Sequence, residues 1–262
     1  MAVKSFMPPT HQRATVTRPA EAAARKEVID FDPCADCSVR DMSVCAVLAP
    51  DELENLAAIA NDYVVPEGRA VINEGDDATS LFNVTAGVLK LYKLLPDGRR
   101  QITGFLYPGD FLGLAVNDRY GYTAETVEPV RLCRFPRAPL EVLLNTYPRL
   151  KDHLFTMASN ELAAAQDQML LLGRKTARER IATFLLLLQT GAKRRGQSPN
   201  PVRLPMNRGD IADFLGLTTE TVSRTISNLK RSGTIALRET GMVEIRDHEA
   251  LNEIAGGNRS EA

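Results

Sequence analysis

The stretch "MNRGDIADFLGLTTETVSRTISNLKRSGTIALRETGMVEIRD", residues 206–247, decides the reading of this chain. Ile211 and Leu215 fall on one face of a first helix, and Gly216 permits a tight turn. Val222, Ile226 and Leu229 supply the buried face of a second helix beginning near Thr218. "IALRETGMVEI" (235–245) then reads as a hairpin around Glu239, Thr240 and Gly241. Two short helices and a hairpin predict a winged helix-turn-helix, whose second helix enters the DNA major groove with its N-terminal side chains toward base edges. Glu220, Ser223 and Arg224 stand at i, i+3 and i+4, opposite the buried face. Arg offers a fork to guanine O6 and N7, and Glu accepts from cytosine N4, so the pair can read two steps of a half-site. The competing reading is a plain surface ion pair between Glu220 and Arg224, worth ~0.3–0.5 kcal/mol. Lys230 and Arg231 are placed to meet phosphates, or only solvent.

Immediately upstream, "GAKRRGQSPNPVR" (191–203) is a linker rich in Gly, Pro and cations. Before it, between Arg149 and Gln189, apolar residues recur every three and four positions. Phe155, Ala158, Leu162, Ala165, Met169 and Leu172 form a coiled-coil stripe. No charge interrupts this seam, and small Ala158 and Ala165 allow close approach. The stripe therefore predicts a long helix that pairs with a second copy of the chain; the alternative is a helix packed on its own domain. Further upstream, from Tyr63 to Pro136, short apolar runs such as "AVINEG" (70–75), "SLFNVTAGVLKLYKLL" (80–95) and "QITGFL" (101–106) alternate with turn signals. These signals are Pro66-Glu67-Gly68, Glu74-Gly75-Asp76, Pro96-Asp97-Gly98 and Pro108-Gly109-Asp110. The spacing predicts an antiparallel β-roll or another small β sandwich.

The fold class expected is thus α+β: an N-terminal antiparallel β-roll of jelly-roll type, a long dimerisation helix and a C-terminal winged helix-turn-helix. The expected boundaries are a disordered tail over 1–30, a cysteine segment over 31–48, and the β-roll over 49–148. The dimerisation helix follows over 149–173, the DNA-binding domain over 174–255 and a C-terminal tail over 256–262. At 262 residues and 25% charged, the chain is long enough for two modest cores. Its net charge of -1 hides an asymmetry: residues 174–262 carry 15 Lys and Arg against 10 Asp and Glu. A basic module on an acidic body fits a polyanionic partner. No apolar run is long enough to cross a bilayer, and the first thirty residues lack the apolar core of a secretory signal, so no membrane is expected and the cytoplasm is. His11, His153 and His248 suggest no nucleophile and base pair, so an enzyme is not expected.

Three of the four cysteines lie within "CADCSVRDMSVC" (34–45), and Cys133 stands alone in "VRLCRFP" (130–136). In a reducing compartment clustered thiols point to metal or redox chemistry rather than to disulfides. A four-cysteine zinc site usually presents two C-x-x-C knuckles, whereas this chain has one. Zinc, a thiol switch and an iron-sulfur cluster all remain open on the residues alone. A lone Cys133 is more often a small buried hydrophobe.

The words "QITGFLYPGDFLGL" (101–114) and "NRGDIADFLGLTTETVSRTISNLKRSG" (207–233), taken with the cysteine set, resemble the fumarate and nitrate reduction regulator (FNR) branch of the cyclic-AMP receptor protein superfamily. The resemblance covers about residues 31–255. It implies a homodimeric regulator of transcription with a cyclic-nucleotide-binding-like jelly roll that holds an oxygen-labile [4Fe-4S] cluster on Cys34, Cys37, Cys45 and Cys133. It further implies that Glu220, Ser223 and Arg224 read an inverted repeat of TTGAT in double-stranded DNA, and that the hairpin Pro96–Arg100 touches RNA polymerase. The gap of seven residues between Cys37 and Cys45 is longer than in the best-known members, which bears on cluster lifetime in air. The cyclic-AMP receptor branch carries a basic residue before the reading Glu, where this chain has Thr219. That branch also needs an Arg-Ser pair for the cyclic phosphate, where "GYTAE" (121–125) supplies neither, so no cyclic nucleotide is expected. Alternatives of the same architecture answer to haem, a small ligand or thiol oxidation. A zinc-bearing interaction protein is a third class.

Overall fold

Helix α1 (Pro50–Ile59) leads into ten strands: β1 (Asn61–Val65), β2 (Ala70–Ile72), β3 (Ser80–Ala86), β4 (Leu89–Leu94), β5 (Arg100–Leu106), β6 (Phe111–Leu112), β7 (Ala115–Val116), β8 (Arg119–Tyr120), β9 (Thr123–Thr126) and β10 (Val130–Pro136). The computed structural model describes residue 34, residues 37–116 and residues 118–256; the expected tail over 1–30 and residues 257–262 lie outside the described residues. Eight strands form two antiparallel sheets, ordered β1-β10-β3-β6 and β2-β9-β4-β5, and β7 pairs with β8 in a separate ribbon. Ile72, Phe82, Val84, Leu89, Leu106, Ala124, Val130 and Leu132 from both sheets share one core. Full burial of such side chains is worth ~1.5–3 kcal/mol each. The alternation the sequence predicts is plain in β10, where Val130 and Leu132 are buried and Arg131 is exposed.

Helices α2 (Arg137–Thr146) and α3 (Pro148–Arg174) follow the roll. The three-and-four periodicity runs on to Gln189, but the helix does not. Lys175 is extended, and Thr176 starts α4 (Ala177–Arg194) with a capping box to Glu179. A separate core of Val44, Leu56, Leu81, Phe111, Phe135, Leu140, Leu150 and Leu154 joins the cysteine segment, α1, the roll and the first turns of α3.

The C-terminal part contains β11 (Val202–Arg203), α5 (Arg208–Leu215), α6 (Thr219–Arg231), β12 (Ile235–Arg238), β13 (Met242–Ile245) and α7 (His248–Gly256). β11, β13 and β12 form a three-stranded antiparallel wing. Its core, built on Ile181, Leu185, Ile211, Leu215, Val222, Ile226 and Leu229, also takes in Ile102 from β5. The β-roll thus docks on the helix-turn-helix of its own chain. Phe105 and Phe214 meet in a tilted pair at 5.3 Å between ring centroids, and Lys90 Nζ lies 2.9 Å from Asp210 Oδ1.

Candidate functional site

The cysteine segment is organised by two short 3-10 turns, Arg40–Met42 and Val44–Val47, hinged at Ser43. Ser43 is fully buried; its Oγ accepts from Cys45 N at 3.3 Å and donates to Arg40 O at 3.1 Å. Arg40 in turn donates to the carbonyl of Cys34. Val39 and Val44 are buried on either side, so the loop is pinned by apolar anchors while its thiols remain half-buried. Gly109, at φ +99° in the Pro-Gly-Asp turn, lets Met42 settle against the roll, because a Cβ there would stand 3.0 Å from Met42 Cγ.

Cys133 reaches the same place from the central strand β10, flanked in register by Asp62 on β1 and Asn83 on β3. Cys34, Cys37, Cys45 and Cys133 all line one cleft, with Leu53, Leu56 and Phe135 as apolar walls and Arg40 as its only cationic neighbour among the described residues. None of the four is in a disulfide. Burial pushes the Cys45 thiol up to about 11, with Cys34 and Cys37 adding to the rise and the Ser43 hydrogen bond opposing it. Burial pushes Cys133 up to about 12, with Cys37, Cys45 and Cys34 again adding to it. Among the described residues no three His, Cys, Asp or Glu side chains form the ready ligand set of one metal ion.

The donor chemistry fits an iron-sulfur core. Among the described residues four thiols and no imidazole or carboxylate line the cleft, and each iron of a [4Fe-4S] cube takes one thiolate.

The cleft is coupled to the long helix. Val44 packs with Leu150 and Leu154 of α3, and Ser43 O lies 3.2 Å from His153 Nε2 on the same helix. Along α3 the expected seam is largely bare in the single chain: Phe155 is 74% exposed, Leu162 61% and Met169 70%. Ala165 is exposed and Ala158 half-buried. Leu172 differs. It turns into its own chain, half-buried against the helix-turn-helix core, where Gly216 leaves room for it.

The reading helix follows from local chemistry. Asn207 and Asp210 form the capping box of α5, Gly216 ends it in the left-handed region at φ +61°, and Thr218 Oγ1 accepts from Thr221 N to start α6. Val222, Thr225, Ile226 and Leu229 are buried; Glu220, Ser223 and Arg224 are exposed side by side. Glu220 and Arg224 are not ion-paired with each other or with any described residue, so both are free to face a duplex. Ser227, one turn on from Arg224, extends the same exposed row. A serine on a helix surface carries no periodic signal in the sequence. Arg231 donates to Asn228 Oδ1 at 3.0 Å, and Lys230 is exposed.

A β-roll linked through a long helix to a winged helix-turn-helix is the build of a DNA-binding regulator. Residues 64–147 match the cyclic nucleotide-binding domain and residues 179–254 the Crp-like helix-turn-helix domain. The chain belongs to the Crp/FNR family of transcription regulators. It is 43% identical to the nitrogen fixation regulation protein FixK of Bradyrhizobium diazoefficiens, over 80% of this chain and 88% of that one. It is 39% identical to the transcriptional activator protein FnrL of Cereibacter sphaeroides, over 85% and 92%. Against the fumarate and nitrate reduction regulatory protein of Escherichia coli K12 the identity is 33%, over 87% and 92%. The structure of FixK2 from Bradyrhizobium japonicum superposes with a TM-score of 0.70 at 36% identity, covering 75% of this chain and 97% of that one. Among the described residues no helix is long and apolar enough to cross a membrane.

Proposed function

We propose that this regulator is a cytoplasmic oxygen sensor that holds a [4Fe-4S] cluster on Cys34, Cys37, Cys45 and Cys133 and acts on DNA as a homodimer. The observation that carries the reading is the convergence of all four thiols on one half-buried, apolar-walled cleft. Zinc fits the arrangement less well. A four-cysteine zinc site usually presents two C-x-x-C knuckles, and this chain has one, whereas each thiolate on a cube serves a different iron. When bound, such a cluster supplies iron-sulfur bonds that oxygen breaks. The rest belongs to the chain. Arg40 offsets thiolate charge, Leu53, Leu56 and Phe135 exclude water, and Ser43, Val44 and His153 pass the set of the loop to α3.

The bare face of α3 from Phe155 to Met169 supports pairing with a second copy. Two copies present two α6 helices, and Glu220, Ser223 and Arg224 of each read one TTGAT half of an inverted repeat. Taking operator occupancy from mostly empty to mostly full asks for ~3–5 kcal/mol between the two states of the protein. The exposed Leu94 and Leu95 beside the Pro96–Arg100 turn support an RNA polymerase contact there, giving activation at some promoters and repression by occlusion at others. The segment "GYTAE" (121–125) supplies neither the Arg nor the Ser that a cyclic phosphate needs, so cyclic nucleotide has no role in this reading.

Titration of a duplex carrying the TTGAT inverted repeat, without oxygen and again after exposure to air, tests the proposal. Tight binding that weakens at least tenfold on exposure supports it. Equal affinity in both conditions removes oxygen as the signal.

A further inference from the structure

Asn83 lies beside Cys133 in the strand register, so the two side chains share one face of the sheet. It lines the cysteine cleft, is 1% exposed, and its Oδ1 has no hydrogen-bond partner among the described residues. Leaving a buried amide oxygen without a partner is unfavourable, a cost a core position avoids by carrying Leu or Val. The polar group is thus surplus to the β-roll itself and points at what the cleft holds. A half-turn about the last side-chain bond exchanges the oxygen and the nitrogen of a carboxamide, and here that turn breaks no hydrogen bond made by the oxygen. The group can then present two N–H donors to the cleft.

We propose that Asn83 is a positioning residue for the cluster, its carboxamide N–H donating to the Cys133 thiolate or to a neighbouring sulfide. This inference rests on the cluster reading above. A donor at sulfur stabilises the more negative, reduced state of the cluster and withdraws density from the iron-sulfur bonds. Asn83 therefore raises the reduction potential and slows attack by oxygen, a setting distinct from ligation.

The test compares full-length parent, Asn83→Leu and Asn83→Asp, isolated without oxygen. Leu keeps the branching at Cγ in a somewhat larger side chain and removes the donors; Asp keeps the shape and offers only acceptors. The expected order of midpoint potential is parent above Asn83→Leu above Asn83→Asp, with bleaching in air several-fold faster in Asn83→Leu. Iron-free Asn83→Leu is expected to unfold at or above the parent temperature, because it sheds an unpaired buried amide. A cluster-loaded Asn83→Leu with the parent's potential and lifetime overturns the inference and leaves the cluster reading standing. An iron-free Asn83→Leu that does not fold overturns it as well, by showing that the amide serves the roll. A parent chain devoid of iron and sulfide overturns both.

Discussion

Cys133 sits 88 residues beyond Cys45, and only the pairing of β10 between β1 and β3 explains how they meet. If all four thiols are ligands, Cys133→Ser leaves three and abolishes stable uptake of iron and sulfide, as well as anaerobic operator binding. Full uptake by the variant, read from iron analysis, would remove Cys133 from the ligand set. On α6 the prediction is sharper. Arg224→Ala should weaken binding to the TTGAT repeat by about 1–3 kcal/mol while binding to random duplex changes little, and Lys230→Ala should weaken both alike. Equal losses on both duplexes for Arg224→Ala would make it a phosphate contact. Local chemistry made this helix legible in advance. Thr218, Gly216 and the Val222-Ile226-Leu229 spacing all act over a few residues, so they can be read from the chain alone. Asn83 and His153 could not be read that way, since a lone Asn in a strand and a lone His on a helix acquire meaning only through partners that long-range pairing brings.

At the scale of the element, α3 carries two faces with different owners. Leu150, Leu154 and Leu171 are buried in the chain, whereas Phe155, Leu162 and Met169 are not. The stripe was legible because its period is that of a helix. Its end was not, since Leu172 keeps the spacing yet packs beneath Gly216. The break at Lys175 was hidden for a similar reason: apolar periodicity continues across it, and only the Thr176–Glu179 capping box marks the new start. An acidic residue in the seam would face its own copy, and two carboxylates without partners oppose association. Ala165→Asp is therefore expected to raise the dimer dissociation constant in air at least tenfold, about 1.4 kcal/mol, by analytical ultracentrifugation. Equal constants for variant and parent would show that Ala165 lies off the interface.

At the scale of the whole molecule, the roll and the DNA-binding domain of one chain are tied by buried charge. Lys90 Nζ lies 2.9 Å from both Asp210 and Glu125, Arg100 bridges Asp210 at 3.0 Å and Asp213 at 2.9 Å, and Gln101 donates to Asp213 O at 2.7 Å. Arg180 closes the junction by donating to the carbonyls of Leu172 and Leu215, at the ends of α3 and α5. Nothing local in "VLKLYK" (88–93) marks Lys90 as buried, so this tie was invisible before the strands were placed. Removing one partner of such a network strands the others in a low-dielectric site. Asp210→Asn should cost about 3 kcal/mol of unfolding free energy, whereas Arg99→Gln, which breaks only the exposed pair with Asp97, should cost under about 0.5. Comparable losses for the two in denaturant titrations would mean that the domains are not held by this contact.

Ligation at the cleft is the claim on which the sensing reading stands, and elemental analysis of the full chain isolated without oxygen tests it most directly. The account predicts about four iron and about four acid-labile sulfide per chain, with visible absorption that bleaches in air. Protein that folds, binds DNA and carries neither element would contradict it.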